Sequence, residues 1–298
     1  MTQISNPPPH RPRRSCLYMP ASNERAMAKA ASVDADVIIL DLEDAVAPDA
    51  KDSARQAACD AISARKFGAR ETVIRINAPD SIWGQNDLRA AVASGVGAVL
   101  APKVTSAADI AAIDSAMTAA GAASDLPLWV MIEMPAAILN ITEIAAASRS
   151  SRLSAFVVGT NDLAKEMRAT SVPGRAPFLT ALHMTVMAAR AFGLAAIDGV
   201  FNDIGDLDGL EAECAQGRMM GYDGKTAIHP AQLAHCNRIF SPEAEEVAQA
   251  RAVIAAFADP ANAGQAVIKV DGRMTELLHL EEAKRTVAIA DSIAAAAN

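Results

Sequence analysis

The chain has 298 residues, 51% hydrophobic and 21% charged, with a formal net charge of −8. This is a globular composition with enough residues for a full core. The acidic balance disfavours a duplex nucleic-acid partner, and no run of about 20 apolar residues is present to span a membrane. Cys16, Cys59, Cys214 and Cys236 are widely spaced with no CxxC pair, which argues against a disulfide scaffold or thiolate zinc site and fits a reducing cytoplasm.

Residues 1–14 (MTQISNPPPHRPRR) hold three consecutive prolines and no apolar segment of a secretory signal; a flexible tail is expected there. Short β-rich runs then alternate with Ala-rich helical stretches. Strands are expected at 16–20, 37–42, 72–76, 97–102, 128–133, 154–159, 195–199 and 224–228. Helices are expected at 23–32, 49–66, 86–94, 105–120, 136–147, 177–192, 207–219 and 231–238. Eight βα units predict an α/β fold, one (β/α)8 TIM barrel spanning 15–240. No GxGxxG loop follows the first strand, which weighs against a dinucleotide fold. From 241 the alternation stops. A helix at 241–259, capped by Ser241 with Pro242 at its first position, a strand and turn at 267–272, and a helix at 275–297 form a C-terminal helical extension. Such an extension is expected to pack on a neighbouring subunit of a homo-oligomer.

The expected strands end, repeatedly, in charged residues: VIILDLEDA (37–45), VIRIN (73–77), AVLAPK (98–103), LWVMIEM (128–134), AFVVGTND (155–162), AAIDG (195–199) and TAIHP (226–230). A barrel collects its strand ends at one mouth. Glu133 and Asp162 end neighbouring strands, as a Mg²⁺ pair would, with water and substrate completing the octahedron; the other reading is two solvated loop-start acids. Arg75, between apolar neighbours, either grips a carboxylate or enolate oxygen or pairs with a strand-end acid. Asp41, Glu43 and Asp44 are expected as supporting groups around the metal pair or partners of Arg75. Lys103 suits a substrate anion or an acid better than a Schiff base, since a metal would already serve as electrophile. His229 and Asp198 close the last two strands, and a structural role for His229 is favoured.

The segment RRSCLYMPASNERAMAKAASVDADVIILDLEDAVAPDAK (13–51) resembles the start of the citrate lyase β-subunit-like proteins of the HpcH/HpaI aldolase and malyl-CoA lyase superfamily. VIRIN, APK, IEMP, VVGTNDL, the stretch 196–232 and DGRM follow in the family's order, so the resemblance covers about residues 13–295. It implies a TIM barrel with a helical extension, Mg²⁺ (or Mn²⁺), and cleavage of 3-hydroxyacyl-CoA esters. By position it makes Glu133 and Asp162 the metal ligands, Glu133 and Arg75 substrate contacts, and Tyr18, Arg25 and Lys29 part of a coenzyme A cradle. One departure stands out. Family lyases follow DGRM with Ile-Asp, an aspartate that serves proton transfer in a neighbouring subunit's site, whereas this chain has Thr275 and Glu276. Glu276, one methylene longer, is the expected replacement, the other reading being an inert acid at a helix N-terminus.

The resulting expectation is a cytoplasmic, Mg²⁺-dependent carbon–carbon lyase for a malyl-, methylmalyl- or citramalyl-type CoA ester, as a trimer or hexamer without nucleic-acid or membrane partners. The alternatives are a malyl-CoA thioesterase, a CoA-independent 2-keto acid aldolase, and a citrate lyase β-type subunit acting on a carrier-bound substrate.

Overall fold

The computed structural model describes residues 11–296. The chain divides into two compact units, Arg13–Phe240 and a second that takes in the residues from Ser241 onward. The first contains β1 (Ser15–Pro20), β2 (Val37–Asp41), β3 (Glu71–Arg75), β4 (Ala98–Ala101), β5 (Leu128–Ile132), β6 (Leu153–Val158), β7 (Ala195–Asp198) and β8 (Gly224–Ala227). All pair in parallel and in chain order, and β8 closes on β1 through Ser15–Lys225, Cys16–Thr226 and Leu17–Ala227. This is the expected (β/α)8 barrel.

The helices are α1 (Glu24–Ala30), α2 (Lys51–Ser63), α3 (Gly84–Ser94), α4 (Ala107–Ala119), α5 (Pro135–Leu139), α6 (Ile141–Ala146), α7 (Thr160–Met167), α8 (Leu179–Phe192), α9 (Leu207–Met220) and α10 (Leu233–Ile239). Ser106 caps α4 in a reciprocal box with Asp109. Two expectations change. The helix expected at 136–147 breaks at Asn140, whose side-chain amide donates to Thr105 O at 3.0 Å. The polar stretch after β6 contains α7, a short helix whose apolar face is limited to Leu163, Ala164 and Met167.

Strand residues alternate between two cores. Val37, Ile39, Val73, Leu100, Trp129, Met131, Val157 and Ile197 fill the barrel interior. Ile38, Leu40, Ile74, Val99, Val130, Phe156 and Ala196 face the helices. Arg13 closes the N-terminal end of the strands, stacked 4.7 Å from the Trp129 ring and paired with Glu71 at 2.8 Å. Arg14 pairs with Asp36 at 2.7 Å. Residues 13 and 14 are therefore barrel elements and not tail, while 1–10 lie outside the described residues. Cys214 and Cys236, distant in sequence, bring their Sγ atoms to 3.8 Å.

The second unit contains α11 (Ala244–Ala258), β9 (Val267–Val270), β10 (Arg273–Glu276) and α12 (Leu277–Ala296) around Ala250, Val253, Ile268, Val270 and Ala283. The cap of α11 is Glu243, not Ser241. The helix expected from 275 starts two residues later, because Thr275 and Glu276 pair with Ile268 and Val267 in an antiparallel hairpin. Its Asp271–Gly272 turn has φ of 47° and 81°, the left-handed pair that a two-residue hairpin requires. Among the described residues no helix is long and apolar enough to cross a membrane.

One charge cluster lies behind the barrel wall. Asp198 ends β7 but follows Ala196 on the helix-facing side, so it points away from the mouth. There, fully buried, it accepts both Arg175 contacts at 2.7 and 2.8 Å, with Lys225 Nζ at 3.5 Å. Lys225 Nζ also reaches Glu213 at 2.6 Å. Removing one partner of such a group leaves buried charge uncompensated. Asp198→Ala is expected to lower unfolding stability by about 3–5 kcal/mol in urea titration; a loss below about 1 kcal/mol would show that water replaces the carboxylate.

Candidate active site

Inward parity brings Asp41, Arg75 and Glu133 to the same end of the barrel. Asp41 and Arg75 are register partners at the tips of β2 and β3. Arg75 Nε and Nη2 donate to the two Asp41 oxygens, each at 2.7 Å. The same carboxylate accepts the Glu43 and Ala45 main-chain N–H groups at 2.9 and 3.1 Å, so Asp41 is fully engaged in orienting the arginine. Arg75 Nη1 faces Glu43 at 3.0 Å and Asp44 at 3.3 Å, and the guanidinium lies 4.9 Å from the Tyr18 ring centre. All three LDLED acids thus contact Arg75, and Glu43 also lies 3.8 Å from Lys103. Beneath them Lys51 donates to the Leu42 and Glu43 carbonyls at 2.9 and 2.8 Å and holds this turn in place.

Across the mouth, Glu133 stands just past β5 with no exposed surface. Its Oε1 accepts the Lys103 main-chain N–H at 2.8 Å, while Oε2 is buried with no hydrogen-bond partner. Gly159 makes room for that oxygen: a Cβ there would fall 2.6 Å from Glu133 Cβ and 2.7 Å from Oε2. Asp162, in the first turn of α7, is the second acid. Lys103 Nζ lies 2.8 Å from Asp162, 3.2 Å from Glu133 and 3.8 Å from Glu43. These are ion contacts without hydrogen-bond geometry, since Nζ has no hydrogen-bond partner.

Burial governs the protonation of the cluster. It pushes Glu43 up to about 8, with Arg75 opposing and Glu133 and Asp44 adding to the rise. It also pushes the Glu133 carboxyl above its usual range, against the pull of Lys103. For Asp162, more open to solvent, burial is outweighed by contact with Lys103 and the carboxyl sits below its usual value. For Lys103 burial is likewise outweighed, by Asp162, Glu133 and Glu43, and the ammonium is held well above the usual lysine value. A buried carboxylate oxygen without a partner, beside a second carboxylate, fits a hard dication that takes oxygen ligands. Among the described residues no larger group of metal-ligating side chains is assembled, so the fit is to a two-carboxylate site.

The mouth is a cavity of about 340 Å³ lined by Tyr18, Asp41, Arg75, Glu133 and Asp162, with Asn161 and Asn202 at its rim. The two asparagines exchange side-chain hydrogen bonds at 2.7 and 3.2 Å. A larger cleft of about 500 Å³ between α3 and α4 has no lining residue in common with this mouth; Lys103 lines it, but none of the acids that Lys103 contacts does. Tyr18 and Lys29 also line a groove of about 200 Å³ with His229 and Pro230; Arg25 is exposed on α1 and outside that lining. His229 accepts the Ala231 N–H through Nδ1 at 3.2 Å, a capping role. Glu276 belongs to the second unit, exposed at the end of β10, with its N–H donated to His279 Nδ1 at 2.9 Å. Arg175, Lys225 and Lys51 were not anticipated from the sequence; a lysine within the strand expected at 224–228 was the available signal.

Comparison with known proteins matches residues 14–230 to the HpcH/HpaI aldolase/citrate lyase family. A (3S)-malyl-CoA thioesterase of Cereibacter sphaeroides is 46% identical over 284 residues, covering 95% of this chain and 96% of the relative. An L-malyl-CoA/β-methylmalyl-CoA lyase of the same species is 33% identical, covering 98% and 99%. Among solved structures, protein CitE of Mycobacterium tuberculosis, in complex with magnesium, acetoacetate and coenzyme A, aligns with TM-score 0.74 and 29% identity over 93% of this chain and 97% of that one. On its barrel, its motif order and these matches, the chain belongs to the HpcH/HpaI aldolase/citrate lyase family of enzymes.

Proposed function

We propose that this enzyme uses a divalent metal to act on a malyl-type CoA ester, and that hydrolysis of the thioester is its main reaction. The observation that carries the reading is the Glu133–Asp162 pair, with its unpartnered buried oxygen, facing the fixed Arg75 cation in one mouth. The choice of hydrolysis rests on similarity: 46% identity to a malyl-CoA thioesterase against 33% to a malyl-CoA lyase. Carbon–carbon cleavage, the first expectation, is the second reading. What favours it is Arg75, a rigid donor of the kind that steadies a thioester enolate.

Glu133 and Asp162 would hold Mg²⁺, or Mn²⁺ in its place, which when bound polarises the oxygens of a 3-hydroxy acid. Arg75 is held by Asp41 through Nε and Nη2, which fixes the plane of the guanidinium and leaves Nη1 as the end free to shift from Glu43 and Asp44 toward a substrate oxygen. The Tyr18 ring shields the guanidinium face from water and strengthens its field. Lys29 in the Tyr18 groove suits a CoA phosphate, with Arg25 adding charge from the same helix. Glu276 is proposed as the proton-transfer group, acting in a neighbouring subunit's site within a trimer or hexamer.

Incubation with a panel of 3-hydroxydicarboxyl-CoA esters and Mg²⁺, with products identified by mass, is expected to yield the free hydroxy acid and CoA. A 2-oxo acid with acyl-CoA would replace hydrolysis by cleavage, and no consumption of any ester would sink both. Arg75→Lys keeps the charge but loses the two-point grip of Asp41; turnover is expected to fall about 100-fold or more with the fold intact by circular dichroism. Glu276→Ala is expected to lower kcat with little change in KM; unchanged turnover would remove Glu276 from the reaction.

A further inference from the structure

Lys103 departs from the rest of the mouth in its backbone. It has φ of 58°, the left-handed region that a lysine adopts at a cost. The conformation has a visible consequence, since the Lys103 N–H meets Glu133 Oε1 at 2.8 Å while its own side chain folds back over the same acid. The ammonium then bridges Glu133 and Asp162, one contact from each, and reaches toward Glu43. Three acids converge on this one cation, held by charge with no hydrogen-bond geometry. One oxygen of Glu133 faces Lys103; the other is the unpartnered oxygen beside Gly159.

We propose that Lys103 is an internal competitor of the divalent cation: its ammonium neutralises the Glu133–Asp162 pair, and metal binding has to share or displace that contact. The inference rests on the metal reading of this pair given above. It assigns Lys103 the setting of metal affinity, keeping the cation exchangeable, where a purely supporting residue would strengthen its binding. The main-chain and side-chain contributions are separable, because glycine adopts the left-handed conformation freely and keeps the N–H to Glu133 while losing the ammonium.

The test is calorimetric titration of Mg²⁺ into the metal-stripped full-length protein, with Mn²⁺ binding followed in parallel by electron paramagnetic resonance. Lys103→Met, Lys103→Gly and Lys103→Arg are compared with the unaltered chain. Met and Gly are expected to tighten binding of both ions by about tenfold or more, since a positive charge a few ångströms from the dication is removed, and Arg to stay within about threefold. The Mg²⁺-induced rise in Tm should be larger in Met and Gly than in the unaltered chain. Should Met fail to fold, Gly alone carries the comparison. Equal or weaker binding in the two neutral variants overturns the proposal and makes Lys103 a positioning residue. No binding in any of the four proteins overturns the metal reading itself.

Discussion

A charge at the tip of a barrel strand goes either into the mouth or behind the wall, and the two-residue period of the strand decides which. Everything else in this site depends on that choice. Arg75 follows Val73 on the inner face of β3, and Glu133 follows Met131 beyond β5. Asp198 follows Ala196 on the outer face of β7 and is lost to the mouth. Two residues of similar sequence appearance, each acidic and each ending an apolar run, thus end in unrelated places. Glu133 faces the cavity at its centre, while Asp198 ties α9 and the turn before α8 to the sheet through Lys225 and Arg175.

Once inside, the buried charges, Asp41, Glu43, Arg75 and Glu133, have to be compensated with little help from water. On the β2–β3 side Asp41 is saturated: it accepts two contacts from Arg75 and two main-chain N–H groups, and Lys51 pins the turn from below, while Glu43 Oε2 is held 3.0 Å from Arg75 by charge without a hydrogen bond. On the β4–β6 side the solution is incomplete. Glu133 keeps one oxygen without a partner, in a space that only a glycine at 159 leaves open. A buried polar atom left unsatisfied costs stability, and this one stands beside a second acid. The fixed Arg75–Asp41 pair thus stands opposite the two acids that the proposed reading gives to a metal.

The barrel itself was readable because eight short apolar runs alternate with Ala-rich stretches, and closure follows from their number. The inward or outward direction of the terminal charges was not. Strands of a parallel barrel are buried on both faces, so VIILD or AAID shows no polar alternation from which to read parity. Helix α7 escaped because TNDLAKEM is only two turns long, with Leu163, Ala164 and Met167 as its whole apolar face. Lys225 escaped because a lysine in a strand is ordinarily taken to reach solvent, and here Asp198 and Glu213 hold it with no exposure. Pairs such as Arg75–Asp41 were half legible: the residues were named, but only the register of β2 against β3 shows which acid the arginine grips.

Hydrolysis and carbon–carbon cleavage of a hydroxyacyl thioester make the same demand on the rigid half of the mouth. In both, negative charge grows on the thioester oxygen and a fixed guanidinium lowers its energy. They differ in what receives or supplies the proton, and Asp41, saturated by its four contacts, is not free to do so. The Arg75 half therefore does not distinguish the two reactions. On the reading proposed for it, that distinction falls to Glu276, exposed on a two-stranded hairpin whose turn is set by Asp271 and Gly272 and one methylene longer than an aspartate. A longer arm on a small hairpin reaches a wider set of positions at the expense of holding any one of them. That trade suits a carboxylate that activates a water more than one that must meet a single carbon at hydrogen-bond distance.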